Sequence, residues 1–346
     1  MDVFTEDEHY FGVDLGSSGI RLVDLRLIHD KPTLVTYGDI ELPPGIMSSD
    51  APTDQQKVAE VLKRLVSDAR VSSKNVVAGL PASKVFASII KMPQMADAEI
   101  AHSIRYQADK YIPMPLEQVK LDFTRITADK TAEQIDVLLV ATPTVVANKY
   151  LNIFQLAGLE LMALDINAIA QTRAMVPATD IDVVIIDFSS LTTDIVVVSK
   201  GVSGLIRSVN IGAKSLIRVT AQNLGLDEAQ AEQFVRKFGL TQTKLEGQVY
   251  RSMKPLLDNI VDEVKKSIDF YYQGAGTAGK IEKIVITGGP AAIPEMPVFL
   301  ANSLGLAVEM GNPWQKISYA TEFTDRLAGM ALSYSTAVGL ALRNMV

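Results

Sequence analysis

The sequence predicts an α/β protein of two related lobes, with a small α/β subdomain inserted into the first. Three observations carry that expectation. The chain has 346 residues, long for a single core and suited to about two domains. The stretch FGVDLGSSGIRLVDLR at 11–26 has a counterpart in IIDFSSLTTDIVVVSKG at 185–201. In both, an apolar run ends at an Asp, small or hydroxylic residues follow, and a second apolar run resumes. Asp14 and Asp187 lie 173 positions apart, half the chain, as expected for a duplicated unit. Between the two copies, residues 82–162 follow a different pattern, β-α-β-β-α, able to close on itself.

Residues 1–10 read as an acidic extension. The first lobe, 11–81, begins with a hairpin rather than a strand entering a helix. GSSG supplies the turn, and Ile20-Arg21-Leu22-Val23 resumes β-favouring sequence. TLVTYGDI (33–40) is a third strand. In TDQQKVAEVLKRLVSDAR (53–70), Val58, Val61, Leu62, Leu65 and Ala69 recur at helical spacing, and NVVAGL (75–80) is a buried strand. The inserted block runs from the strand VFASII through the helix DAEIAHSIRYQADKYI and the strands VKLDFTRI and IDVLLVA to the helix TVVANKYLNIFQLAGL. Residues 163–179 lead back to the first lobe. The second lobe spans 180–324, with a helical stretch at about 213–273. Residues 325–346 form an apolar helix expected to return to the first lobe.

Composition removes several function classes. Hydrophobic residues make up 48% and charged residues 21%, the profile of a globular domain. No cysteine is present, which excludes disulfides, thiolate metal sites and Cys nucleophiles. His9, His29 and His102 are too scattered to form a ligand cluster by local spacing. A net charge of −7 argues against nucleic-acid binding and against direct adhesion to anionic lipid. MDVFTEDEHY lacks the basic start of a signal peptide. LAGMALSYSTAVGLAL (327–342) is shorter than the ~20 apolar residues of a membrane span, so a buried helix and a cytoplasmic location are expected.

A turn with little side-chain bulk lets backbone N–H groups converge on phosphate oxygens, and Ser17 and Ser18 add hydroxyl donors. An Asp at the preceding strand end supplies a hard oxygen ligand for Mg²⁺, usually through water. Asp and Gly also favour turns for conformational reasons alone. Two matching hairpins half a chain apart favour phosphate binding, with a metal between Asp14 and Asp187. ITGGPAA (286–292) ends a strand in two glycines, Gly288 and Gly289, where a backbone can approach a base or ribose. Neither GxxxxGK[ST] nor a GxGxxG after a strand occurs, which excludes a P-loop and the usual dinucleotide fingerprint.

Asp14-x-Gly16 with Arg21, Asp187-x-Ser189-x-x-x-Thr193-Asp194 and Thr287-Gly288-Gly289 resemble the two phosphate motifs and the adenosine motif of actin-like ATPases. That superfamily, built on duplicated RNase H-like domains, includes actin, DnaK-type chaperones, sugar kinases and the cell-division protein FtsA. IRYQADKYIPMPLEQVKLDF (104–123), LPASKVFASIIKMP (80–93) and GLALR (339–343) resemble the PilM family of the bacterial type IV pilus inner-membrane platform. The likeness runs over about 11–343. It implies an actin-like two-lobed ATPase fold with an FtsA/PilM-type inserted subdomain, and ATP with Mg²⁺ between the lobes. It also implies capture of the cytoplasmic N-terminal tail of PilN, a single-span membrane protein, in a groove beside the insert. Membrane contact would then be indirect, at the inner face of the cytoplasmic membrane. FtsA carries a C-terminal amphipathic helix after a linker, whereas this sequence stops at GLALRNMV, favouring PilM.

By that resemblance Asp14 and Asp187 organise the Mg²⁺-water shell. Gly16, Ser17, Ser18, Ser190, Thr192 and Thr193 offer donors to the phosphates, and Arg21 replaces the usual Lys. Glu232 holds the ribose, and Gly288 and Gly289 flank the adenosine. Each residue has a plainer reading: Glu232 as a solvated helix residue, Thr192 and Thr193 as β-formers, Arg21 as an exposed strand charge. Ser189 stands where the second phosphate motif has Gly, Val235 where AE-x-x-K has Lys, and Pro290 stiffens the last turn. Asp165 is the candidate for orienting an attacking water, or else a helix-start acid. The expected function is a nucleotide-responsive adaptor with slow or absent turnover. The alternatives are an FtsA-like cytoskeletal ATPase, a small-molecule kinase of the same superfamily, or a purely structural adaptor whose nucleotide site has decayed. For the peptide groove, the Tyr111-Ile112-Pro113 region is the expected neighbourhood.

Overall fold

The computed structural model of the protein describes residues 9–126, 133–177, 181–275 and 280–345. In chain order, β1 (Tyr10–Leu15), β2 (Gly19–Ile28) and β3 (Lys31–Glu41) form an antiparallel meander. The helix α1 (Pro52–Asp68) crosses over, and β4 (Asn75–Leu80) returns parallel to β1. Next come β5 (Phe86–Pro93), α2 (Asp97–Ala108), β6 (Val119–Arg125) and β7 (Gln134–Pro143), then α3 (Thr144–Leu156), β8 (Glu160–Ile166) and α4 (Asn167–Met175). The second lobe has β9 (Asp182–Phe188), β10 (Thr193–Ser199) and β11 (Val202–Val209), followed by α5 (Ala213–Leu224), α6 (Glu228–Phe238) and α7 (Gln248–Ala275). The elements β12 (Ile281–Thr287), α8 (Met296–Leu304), β13 (Ala307–Met310) and α9 (Thr324–Ala341) follow.

The first sheet has the order β3-β2-β1-β4-β8 and the second β11-β10-β9-β12-β13, the same arrangement strand for strand. The duplication visible in the two Asp hairpins is therefore a duplication of the whole sheet. Asp14 and Asp187 sit at equivalent places, each next to last in its central strand. Those carboxyl ends are where open α/β sheets present ligand sites.

A third sheet, β5-β7-β6, belongs to the insert. With α2 it encloses its own core, including Ile90, Ile100, Ile104, Val137 and Leu139. The last helix of the 82–162 block packs elsewhere. Tyr150, Ile153 and Phe154 of α3 are buried with Val58 and Leu62 of α1 and Phe11 of β1. Amphipathic spacing shows that α3 has an apolar face but not which core receives it. The helix expected over DAEIAHSIRYQADKYI stops at Ala108, and Tyr111 and Ile112 lie in the turn beyond it.

Contacts away from the strand ends also join the lobes. The Lys316 ammonium donates to the carbonyls of Arg173 (2.7 Å) and Val176 (2.8 Å), and Ser318 pairs with β3 through the Pro32 carbonyl and the Leu34 N–H. Burial pushes the Lys316 pKa down, assisted by Arg173. Trp314, the only tryptophan, is buried against Tyr37 and Tyr334.

The residues 334–341 of α9 are all buried, which is why that stretch lacks a polar face. Among the described residues no helix is long and apolar enough to cross a membrane. The helix packs on β1, β4 and α4. At Gly339 a Cβ would stand 1.8 Å from the Ala170 carbonyl oxygen. Gly339→Ala should therefore lower stability by about 2–3 kcal/mol in thermal unfolding, although Ala is ~1 kcal/mol better than Gly in a free helix. A stabilised variant would show that α4 and α9 are not tightly apposed.

Candidate functional site

The strands β1 and β9 bring Asp14 and Asp187 into one electrostatic cluster. Burial raises the Asp14 pKa to about 6; Arg21 opposes that shift and Asp187 adds to it. Asp187 is also raised, by burial first, against hydrogen bonds from Gln171 and Ser189 and the charge of Arg21. Arg21 is the cross-strand partner of Asp14 and acts on both acids, so it faces the cleft. A Cβ on Gly16 would lie 3.7 Å from Arg21 Nη1 and 3.8 Å from Asp14 Oδ2, so the first turn folds over this pair.

The second turn, 189–192, is closed by the Ser189 N–H donating to the Thr192 carbonyl at 2.9 Å. The carbonyls of Ser189 and Ser190 accept from Ala213 and Lys214 at the start of α5. Ser189 Oγ is 3.5 Å from Asp187 Oδ2, so the side chain that replaces the family's Gly points at the acid. Gly288 has φ of 85°, and a Cβ there would stand 2.6 Å from Asp187 Oδ1 and 2.1 Å from the Phe188 carbonyl oxygen. Only Gly fits, so the third turn is pressed directly against the metal-ligand candidate. Gly289 is exposed beside it.

Asp14, Gly16, Arg21, Asp187, Ser189 and Gly288 thus converge. Ser17, Ser190 and Thr192 are half-buried on the two turns, and Ser18 is exposed. Three other expected residues are placed differently. Thr193 is fully buried and its hydroxyl donates to the Ile211 carbonyl at 2.6 Å, so it points away from any phosphate. Glu232 lies on α6, partly exposed and paired with Arg236 at 2.7 Å one turn on. Asp165, expected near the attacking water, has both oxygens engaged. Oδ2 pairs with Arg173 at 2.8 Å and Arg343 at 3.5 Å, and Oδ1 accepts the Ile166 N–H at 2.9 Å. It anchors α4 and the residues after α9 to the end of β8. Asp165→Asn should destabilise the fold by about 2–4 kcal/mol, read from chemical denaturation, because it removes the buried negative charge with which Arg173 and Arg343 pair.

Sequence reasoning missed Gln171. From α4 of the first lobe its Nε2 donates to Asp187 Oδ2 (2.7 Å) in the second, and to Thr336 Oγ1 (3.0 Å) on α9. Its only signal was an amide within the small-residue run NAIAQTRAM. Asp194, the last residue of the second phosphate motif, is a further buried acid beside Asp187. It is 4% exposed, and burial and then Asp187 raise its pKa to about 7.

The donor set fits Mg²⁺. Two acids with raised pKa values, sharing one guanidinium, form an oxygen site whose negative charge is only partly compensated. Among the described residues no group of three or more His, Cys, Asp or Glu side chains is close enough to hold an ion alone. Water and phosphate oxygens would complete the shell.

A cavity of about 440 Å³ lies apart from these residues, between the insert and the second lobe. Ala82, Phe86, Tyr111 and Ile112 line one side, Arg207 and Ser208 of β11 the other. The strands β5 and β11 are both sheet edges.

The family model for type IV pilus assembly protein PilM matches residues 12–345. The chain belongs to the PilM family. Among solved structures, this PilM-family chain is similar to one described as a PilM-PilN type IV pilus biogenesis complex, with a TM-score of 0.86 and 24% identity over 98% of this chain and 99% of that one. Ethanolamine utilization protein EutJ from Carboxydothermus hydrogenoformans has a TM-score of 0.59 and 15% identity, over 98% and 90%. MreB 5 of Spiroplasma citri, bound to AMPPNP, has a TM-score of 0.55 and 12% identity, over 97% and 95%. These likenesses show the two-lobed actin-like fold.

Proposed function

We propose that this PilM-family protein is a nucleotide-responsive adaptor of type IV pilus assembly. It would bind ATP with Mg²⁺ between its lobes and hold the cytoplasmic N-terminal tail of PilN in the groove beside the insert. The observation that carries the nucleotide half is the pairing of Asp14 and Asp187 from equivalent strand ends, within reach of one Arg21. When bound, Mg²⁺ supplies charge neutralisation for a polyphosphate. Asp14 and Asp187 orient its water shell, Arg21 meets phosphate charge, and Gln171 holds the Asp187 carboxylate in place. Gly288 lets the third turn approach without side-chain obstruction. MreB 5 in its AMPPNP-bound structure supports nucleotide as the ligand class for this fold.

Hydrolysis is slow or absent on this reading. Asp165 is committed to Arg173 and Arg343, and Thr193 to Ile211, so neither serves an in-line water. The protein would then work by coupling two binding events, and it would reach the inner face of the cytoplasmic membrane through its partner. The solved PilM-PilN complex supports PilN as that partner, and two facing sheet edges suit an extended peptide.

Titration with fluorescent ATP in Mg²⁺ tests the nucleotide half; no saturable binding at millimolar nucleotide removes it. A PilN N-terminal peptide tests the other. Tyr111→Ala, at a 45% exposed position, should weaken that peptide by about 30-fold, the loss of a ~2 kcal/mol aromatic anchor. Excising 82–162 would be uninformative, because it removes α3 from the first-lobe core.

A further inference from the structure

The duplication supplies an internal comparison. Across the first sheet, the row at the acid reads Asp14, Arg21, Asp39 on β1, β2 and β3. Across the second, the equivalent row on β9, β10 and β11 reads Asp187, Asp194, Ser208. Where the first lobe places a base beside its acid, the second places another acid. Like charges directly opposite on neighbouring strands are destabilising, and burial makes this pair worse. Asp187 is 7% exposed and Asp194 4%. Among the described residues no basic side chain forms an ion pair with Asp194.

What meets Asp194 comes from two directions. Ser208 Oγ donates to its Oδ1 at 2.5 Å. The Ala82 backbone N–H and the Thr192 hydroxyl also act on the carboxylate and hold its proton affinity down. Thr192 belongs to the turn beside Asp187. Ala82 and Ser208 line the 440 Å³ groove, Ala82 from the entrance of the insert and Ser208 from β11. One buried carboxylate therefore touches both candidate sites. The strand it holds, β11, is a sheet edge, paired on one side only by β10.

We infer that Asp194 is the positioning residue through which a cation at Asp187 reshapes the groove between the insert and β11. This rests on the proposed nucleotide and peptide reading. A divalent cation at Asp187 attracts the neighbouring carboxylate toward the cleft and the Thr192 side. What Asp194 gains there it loses from Ser208 and Ala82, so the groove has one wall arrangement with the Ser208 bond and another without it. A peptide that prefers one arrangement is then coupled to the cleft, and the coupling is reciprocal.

Hydrogen exchange of the backbone amides at 82–88 and 206–209 tests this on the full chain. Mg²⁺ with a non-hydrolysable ATP analogue is the probe, at saturating occupancy in every arm. In the unaltered protein, Mg-nucleotide should change exchange in both segments by about fivefold or more. In Ser208→Ala, and independently in Asp194→Asn, that change should disappear. A response that survives in both variants, or none in the saturated unaltered protein, overturns the inference. If the amides respond and no PilN peptide binds in any arm, the coupling stands and the choice of occupant falls.

Discussion

Asp14→Asn is expected to raise the melting temperature of the nucleotide-free protein at pH 7.5 and to abolish its binding of Mg-nucleotide. The two effects share a cause. The folded-state pKa of Asp14 is about 6, above the ordinary 3.8 of the unfolded chain, chiefly because of burial. Below pH 3.8 both states are protonated and the residue costs nothing. Between 3.8 and about 6 the native state binds the extra proton, so stability falls as pH rises. Above 6 the native protein carries the full cost of a buried charge, on the order of 1–3 kcal/mol. Asn cannot ionise. Its gain should be roughly 2–4 °C at pH 7.5 and vanish near pH 4, measured by calorimetry at both pH values. Nucleotide affinity should fall at least about 100-fold, since one of two charged metal ligands is gone. A variant that is destabilised at pH 7.5, or that binds Mg-nucleotide normally, would contradict both the strain and its purpose.

Gln171→Met should weaken Mg-nucleotide by about 10–100-fold without touching the ligand, the range for a lost partner of a metal-holding carboxylate. Methionine matches the length and flexibility of Gln, so the buried volume at this position of α4 is kept. The lost element is the donor to Asp187 at 2.7 Å, which also spans the two lobes. Without it the Asp187 pKa moves further up, because that hydrogen bond opposes the effect of burial. The variant should therefore recover affinity as pH is raised, more steeply than the unaltered protein. Isothermal titration as a function of pH distinguishes the outcomes. A uniform loss with no added pH dependence would assign Gln171 to packing alone.

Much of the fold was legible in local patterns. Strand alternation, the small-residue turns and the helical spacing at Val58, Leu62 and Leu65 depend on neighbours a few positions away, and sequence states these directly. The duplication was legible because two hairpins of the same make recur, and equal strand orders extend it to whole sheets. The candidate site was legible as far as its strand ends: Asp14, Asp187, Gly288. The internal partners of the Thr193 hydroxyl and of the Glu232 and Asp165 carboxylates were not. A residue type suited to binding is equally suited to an internal partner, and here Ile211, Arg236 and Arg173 claim them.

The sequence by itself determined two acids at equivalent strand ends, the small turns behind them, and a foreign block between the copies. Only the tertiary structure decided who stands beside those acids. Gln171 meets Thr336 across 165 positions, and Tyr334 donates to Asp39 across 295. No periodicity spans such distances, because chain folding rather than local geometry brings those side chains together. The allegiance of α3 was open for a related reason: an apolar helical face binds whichever core the topology offers. The same holds for Asp194, whose meaning lies in a row of three strands that only the folded sheet assembles.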